Sequence, residues 1–495
     1  MLNPPDGSQL ALPNVDFESA PGAALQVTTL PRARRVYVNR SLRLDQVEWV
    51  GFDMDYTLAI YRQAEMDRLS IEATLKKLVA RGYPDLLLEA RFDTNFPIRG
   101  LVIDKRFGHV VKMDRYKFVG RAWHGLQELP REQRYALYHA KKLKVAPPRY
   151  HYIDTLYALP EAALYAGAVD LLDRYGINTD YQQLFDDIRE CIDEAHRDGA
   201  INDTIALDLP RYVDRDPNLA ATLHKLRSAG KKLFVLTNSR WAYTDAMMTY
   251  LLGGALPEYT HWRQYFDIVS VAAGKPGFFT ERRPFLERVT EGDAQSTRPA
   301  YALERGHIYE NGNLRDFERM LNVTGDRILY VGDHIFGDIL RSKKDSSWRT
   351  AMIIQEMDEE LAAQEECQEA LEQLDSMARR RERLEDELRF YQARYRAATR
   401  ARAAGEIIDE ARLAIENLKL GLRELETASR ALKKTTERRF HPYWGSLFKQ
   451  GVELSSFGDQ VEEYACLYTS RVSNLLHYSP LHYFRSSRDL MPHEL

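Results

Sequence analysis

The sequence predicts a doubly wound α/β fold: a parallel-sheet, Rossmann-like core, broken by an inserted domain and followed by a long helical hairpin. Three observations predict it. Short apolar runs alternate with helical periodicity at 47–55, 231–239, 265–276, 327–335 and 348–356, and strands separated by helices build parallel sheets covered on both faces. Four of these runs end in polar clusters, DMDYT, TNS, AGKP and GDHIFGD. In such sheets ligands sit at the carboxyl ends of the strands. Residues 356–438 are dense in Glu, Arg, Leu and Ala and contain no proline, as a helical hairpin or coiled coil requires.

Taken in order, residues 1–35 are rich in Pro, Gly and Ala and read as an extended arm. VEWVGFDMD (47–55) reads as a buried strand that delivers two acids. The core is expected over 36–75 and again over 211–355. Between them an insert, 76–210, shows helical periodicity in Met66–Arg81, Glu161–Tyr175 and Asp180–Arg197, a strand-like stretch Leu101–Met113 and a loop at Pro147-Pro148. A helix over Leu219–Ala229 leads through Gly230 into the second core strand. In the arm, Ala-Ala-Gly at 403–405 marks the reversal point. The aromatics of 439–495 predict a segment that packs back on the core.

A chain of 495 residues and 57.3 kDa exceeds one ordinary core and suggests about three units. With 69 basic and 73 acidic residues the formal net charge is −4, which excludes binding nucleic acid by bulk charge. The three cysteines, Cys191, Cys367 and Cys466, lack CxxC spacing; neither a disulfide framework nor a four-cysteine zinc site is expected. No basic-then-apolar leader and no run of 18 apolar residues occurs, so neither a secretory signal nor a membrane span is expected, and the expected address is the cytoplasm.

The clusters carry the chemistry. Asp53 and Asp55, at i and i+2 past a strand, crowd two carboxylates whose repulsion Mg2+ would relieve. Asp53 could attack phosphorus and Asp55 could act as general acid and base; the alternative is an acidic turn capping a helix. Thr237, Asn238 and Ser239 offer hydroxyl and N–H groups for a phosphate, or simply a helix cap. Lys275 could neutralise charge in the transition state. Asp333 could complete the metal shell, and Asp338 could orient Lys275. His334 reads as structural, because magnesium prefers oxygen. Each part is weak alone; the ordered set, each behind a strand, points to metal-assisted phosphoryl transfer.

These residues resemble the haloacid dehalogenase superfamily of phosphohydrolases. GFDMDYTLA (51–59), TNSR with YTDAMMTYL (237–251), AGKPGFF (273–279), YVGDHIFGDILRSKK (330–344) and LHYSPLHYFRSSRDLMPHE (476–494) are similar to the cytosolic purine 5′-nucleotidase family, the high-KM type acting on IMP and GMP. The resemblance implies that Asp53 is the nucleophile and Asp55 the general acid and base. It places Mg2+ on the Asp53 carboxylate, the Asp55 carbonyl and Asp333. It puts Thr237, Asn238 and Lys275 on the phosphate, with Asp338 supporting Lys275, and makes the insert a specificity cap. FDDIRECIDEAHRDG (185–199) is similar to a nucleoside-contacting helix, with Arg189, Asp193 and His196 on one face. Tyr157 stands where an aromatic stacks on the base. Without the resemblance that triplet reads first as a solvated ion-pair face.

Departures are visible too. Asn202 stands where the family has a lysine. Lys344 and Lys144 match basic positions of a nucleotide effector site, but the segment around Lys144 is altered. Family assembly suggests a homo-oligomer, dimer or tetramer. The expected activity is hydrolysis of purine nucleoside 5′-monophosphates, with phosphotransfer to a nucleoside as a variant. The alternatives are a phosphatase of another phosphomonoester, such as a sugar phosphate, and a non-catalytic scaffold built on the helical arm.

Overall fold

The computed structural model describes residues 30–487, apart from Arg91, 139–142, Lys144, 292–293, 341–345 and Ala403. The arm expected at 1–35 falls almost wholly outside the described residues.

The main sheet has ten strands: β1 (Tyr37–Val38), β2 (Trp49–Phe52), β3 (Lys232–Leu236), β4 (Ile268–Val271), β5 (Phe285–Glu291), β6 (Ala294–Pro299), β7 (Ile308–Asn311), β8 (Ile328–Gly332), β9 (Arg349–Ile353) and β10 (Leu467–Thr469). Their order is β1-β10-β9-β8-β2-β3-β4-β7-β5-β6. From β10 to β7 every neighbouring pair is parallel. Antiparallel pairing of β1 with β10, and of β5 with β7 and β6, closes the two edges. The five expected strands are β2, β3, β4, β8 and β9. The hairpin β5–β6 and strands β7 and β10 extend the sheet beyond them.

All four residues of β2 are buried, as its run of apolar residues on both faces demands of a central parallel strand. Gly51 is needed there. A Cβ at this position would lie 2.1 Å from the Phe234 ring, and Phe234 is its cross-strand partner on β3. The ring packs among Trp49, Phe317, Tyr330 and Trp348; side chains of this size contribute about 1.5–3 kcal/mol each when buried. β2 is flanked by β3 on one side and by β8 on the other. The chain reaches them by connections on opposite sides of β2, which opens a crevice at their carboxyl ends.

Ile60–Tyr61 pairs with Val213–Asp214, and between these two short strands the insert leaves and rejoins the core. The insert opens with α1 (Gln63–Ala80), which runs unbroken through the boundary expected at 75/76; the helix therefore goes with the insert as one piece. Next comes a separate antiparallel five-stranded sheet: Gln127–Glu128, Val119–His124, His109–Met113, Leu101–Asp104, Tyr150–Tyr152. Helices α2 (Leu159–Arg174) and α3 (Tyr181–Arg197) follow. Asp180 caps α3 by accepting from the Gln182 and Gln183 N–H groups, a helix start readable from the sequence. The C-terminal segment ties this sheet down. Arg115 N–H donates to the Leu454 carbonyl at 2.9 Å, and the Lys112 and Lys117 ammonium groups each stand 2.9 Å from Lys449 O and Ser456 Oγ respectively.

The second compact unit, residues 359–447, contains α4 (Gln368–Arg400) and α5 (Gly405–Phe440). They form an antiparallel hairpin: Arg394 meets Glu410 at 3.2 Å near the turn, and Arg439 pairs with Glu366 at the open end. The chain reverses between the two helices, where Arg402 takes φ 51°. No helix among the described residues is long and apolar enough to cross a membrane, and all three cysteines are buried and unpaired.

Candidate active site

The register brings the clusters level. Phe52 pairs with Val235 on one side and Val331 on the other, so the residues just beyond them, Asp53, Thr237 and Asp333, emerge together at one end of the sheet. Asp53 is buried. Its Oδ1 accepts the Met54 N–H at 2.8 Å and stands 2.9 Å from Lys275 Nζ. Lys275 Nζ also donates to Asp338 Oδ1 at 2.7 Å and to Tyr330 Oη at 2.9 Å. Asp338 lies so close to Gly332 that a Cβ there would meet its carboxylate at 2.6 Å; that position is closed to any larger residue.

Asn238 was expected on the substrate. Its amide instead brackets the lysine's backbone, with Oδ1 accepting Lys275 N–H at 2.6 Å and Nδ2 donating to Lys275 O at 3.0 Å. Thr237 is fully buried, and its Oγ1 accepts the Ser239 N–H at 3.1 Å. Ser239 donates through Oγ to Asp55 Oδ2 at 2.6 Å, so its hydroxyl is held on the second acid. The other Asp55 oxygen accepts the Tyr61 hydroxyl at 2.5 Å.

Burial governs the charges. It pushes the Asp53 carboxyl well up against the pull of Lys275, and it raises Asp333 to about 7 despite Arg99. It raises Asp55 too, opposed by the bonds from Ser239 and Tyr61. For Lys275 burial acts the other way, but Asp338 and Asp53 prevail and hold the ammonium form. His334 bonds Asp154 Oδ2 through Nε2 at 2.9 Å. Burial disfavours its charge, yet the Asp154 bond prevails and lifts it to about 9, which suits the structural part expected of it.

Arg99, on no motif, completes the rear wall. Its side chain is wholly buried, Nη1 donates to the Asp333 carbonyl at 2.9 Å, and Nε and Nη2 grip Glu356 at 2.7 and 2.6 Å. From the insert, the Tyr157 ring meets Tyr56 edge-on at 4.8 Å and His196 at 5.6 Å. These contacts bring two of the four expected nucleoside residues to the Asp53–Asp55 turn. Arg189 is held by buried Glu161, with Nη1 at 3.0 and 3.1 Å from its oxygens, and by His151 at 3.2 Å. Asp193 is exposed. Lys144 and Lys344, expected at an effector site, lie outside the described residues.

The donors fit a hard divalent cation. Oxygens of Asp53, Asp333 and Asp338 lie within 4.8 Å of one another, all buried. Asp333 Oδ2 is buried without a hydrogen-bond partner, an arrangement that costs free energy unless a cation or proton meets it. No thiolate joins the set, and oxygen-only donors suit magnesium. Lys275 meets both Asp53 and Asp338, while Asp333 keeps a buried oxygen with no hydrogen-bond partner for a metal.

A parallel sheet that delivers Asp-x-Asp, Thr, Lys and Asp from four strand ends is a haloacid dehalogenase-type phosphohydrolase core. Comparison with known proteins narrows the class. Residues 36–495 match the 5′ nucleotidase family, and the chain belongs to that family, whose class of activity is that of a nucleotide phosphatase. It is 29% identical over 470 residues to a 5′-nucleotidase domain-containing protein of Dictyostelium discoideum, covering 93% of this chain and 74% of that protein. It is 30% identical to 5′-nucleotidase domain-containing protein 2 of Rattus norvegicus over 95% of this chain and 81% of that one. With the human protein of the same name the identity is 34%, over 68% of this chain and 66% of the relative.

Proposed function

We propose that the protein hydrolyses purine nucleoside 5′-monophosphates of the IMP and GMP type, with Mg2+, through an aspartyl-phosphate on Asp53. The observation that carries this reading is the convergence of Asp53, Lys275, Asp338 and Asp333 in one buried cluster, with family membership behind it.

The residues divide the work. Asp53 Oδ attacks phosphorus in line, and the ester bond to the nucleoside breaks. Asp55 gives a proton to the departing 5′ oxygen, then takes one from the water that releases phosphate. Lys275 and Thr237 hold the phosphoryl oxygens as charge builds on them. Asp338 and Asn238 fix Lys275 in place, one by its ammonium and one by its backbone. Asp53, the Asp55 carbonyl and Asp333 would hold Mg2+, which supplies positive charge against the phosphate. Tyr157 and His196 line the approach from the insert, where an aromatic pair suits a base. Arg189 acts with Glu161 and His151 as one recognition unit. A nucleoside hydroxyl in place of water turns hydrolysis into phosphotransfer. Three unpaired cysteines fit a reducing compartment such as the cytoplasm.

Phosphate release across nucleoside monophosphates and sugar phosphates, with Mg2+ and with EDTA, tests the reading. Turnover is expected to favour IMP and GMP and to vanish with chelator. Equal turnover of sugar phosphates sinks the nucleotide assignment, and full activity in EDTA sinks the metal.

A pH dependence follows from the buried acids. Their folded-state pKa values are raised, Asp333 to about 7 from the usual 3.8. The stability they lend the metal-free protein is therefore present below about pH 4 and lost as pH rises through about 7. Magnesium needs the deprotonated form. The rise in Tm on adding Mg2+ is expected to be larger at pH 8 than at pH 5; an equal or smaller rise at pH 8 contradicts metal binding by these carboxylates.

A further inference from the structure

We propose that Tyr61, backed by Tyr243, is a positioning residue that fixes the Asp55 carboxyl for proton transfer to the leaving nucleoside. The inference rests on the role of Asp55 given above.

The geometry is specific. Tyr61 Oη donates to Asp55 Oδ1 at 2.5 Å, and Ser239 Oγ donates to Oδ2 at 2.6 Å. A carboxyl held by one donor can turn about its bond to Cβ. Held by a donor on each oxygen, with the Tyr157 hydroxyl acting on it as well, its plane is set. The Tyr61 hydroxyl is itself fixed, 2.8 Å from Tyr243 Oη. Both tyrosines are buried, at 4% and 8% exposure, so water does not compete for these bonds. Placement of this kind matters because proton transfer depends steeply on distance and direction. Tyr61 also belongs to the short strand that pairs with Val213–Asp214, so the crossing between core and insert sets the acid's orientation.

As the bond between Asp53 oxygen and phosphorus forms, the bond between phosphorus and the 5′ oxygen breaks. Its electron pair stays on that oxygen, which takes the proton from Asp55. The Asp55 carboxylate so formed is met by the hydroxyl hydrogens of Tyr61 and Ser239.

A leaving-group comparison tests it. A nucleoside alkoxide must be protonated as it departs, whereas p-nitrophenolate need not be. Tyr61→Phe is expected to lower kcat/KM on IMP, which reads the steps up to release of the nucleoside, by about tenfold or more, and to change kcat/KM on p-nitrophenyl phosphate by less than about twofold; the whole general acid–base contribution spans roughly 10²–10⁴-fold. Tyr243→Phe, which leaves the Tyr61 ring in place, is expected to show the same selective loss at smaller size. Equal losses of kcat/KM on both esters, or no loss of kcat/KM on IMP, overturns the proposal. Asp53→Asn is run beside them. If it spares turnover, the proposed function fails; if it abolishes both activities while Tyr61→Phe lowers them equally, only the positioning role fails.

Discussion

Asp53→Asn is expected to reduce phosphate release on the order of 10⁴-fold or more, since it removes the attacking oxyanion while keeping the shape of the side chain. The same change is expected to leave Tm unchanged or raise it. Asp53 is a buried acid facing three others, Asp338, Asp55 and Asp333, and its carboxyl is pushed well up by burial and by them. The amide removes this repulsion, and Lys275 keeps its 2.7 Å bond to Asp338. Activity and stability should therefore move apart. A variant that loses both, as a misfolded protein does, or one that retains phosphate release, contradicts the assignment of the nucleophile. Thermal melts beside a phosphate assay decide it.

Lys275→Met is expected to damage both properties. The ammonium is the cation that bridges Asp53 and Asp338, and all three groups are buried. Removing one partner of a buried pair leaves uncompensated charge, which typically costs about 3–5 kcal/mol. Catalysis should fall by a further 10²–10³-fold or so, as when a donor that meets transition-state charge is lost. Adding Asp338→Asn is expected to return much of the stability and none of the activity, because it removes the stranded acid without restoring the cation. Urea unfolding of the single and double variants reads the first part. A loss below about 1 kcal/mol for Lys275→Met shows that the cluster is held by something other than this ammonium.

The parts of the site that lie on strand ends were legible because short segments carry them. An apolar run followed by Asp-x-Asp places Asp53 wherever a parallel sheet forms, and the same logic reached Thr237, Lys275 and Asp333. Asn238 and Ser239 were legible as neighbours of the phosphate loop, but not in their bonds. Which of two adjacent polar side chains turns to Lys275 and which to Asp55 depends on the turn between β4 and Lys275, where Ala272 and Gly274 take positive φ. Arg99 carried no signal, since its partners Asp333 and Glu356 are more than 230 residues away. Tyr61 was overlooked although it stands six residues from Asp55, because nothing local shows its hydroxyl pointing back. The hairpin β5–β6 is hard to read because its strands, FLERVTE and AQSTRP, carry no apolar–polar alternation, although a Gly-Asp pair separates them in the sequence. At the expected boundary, 75/76, α1 is helical on both sides, and the pairing of Ile60–Tyr61 with Val213–Asp214 joins the two ends of the insert.

Strand β1 finds its partner only in β10, Tyr37 lying opposite Tyr468, with β10 in turn seated on β9. During synthesis β1 must therefore wait, unpaired, until β10 has been made. The central strands can assemble as they appear, but that flank of the sheet cannot close. Sequence-distant pairing of this kind slows folding and leaves an edge open to wrong neighbours in the interval. A nascent chain of this protein is thus vulnerable until β10 emerges, and its demand on chaperones should persist up to that point.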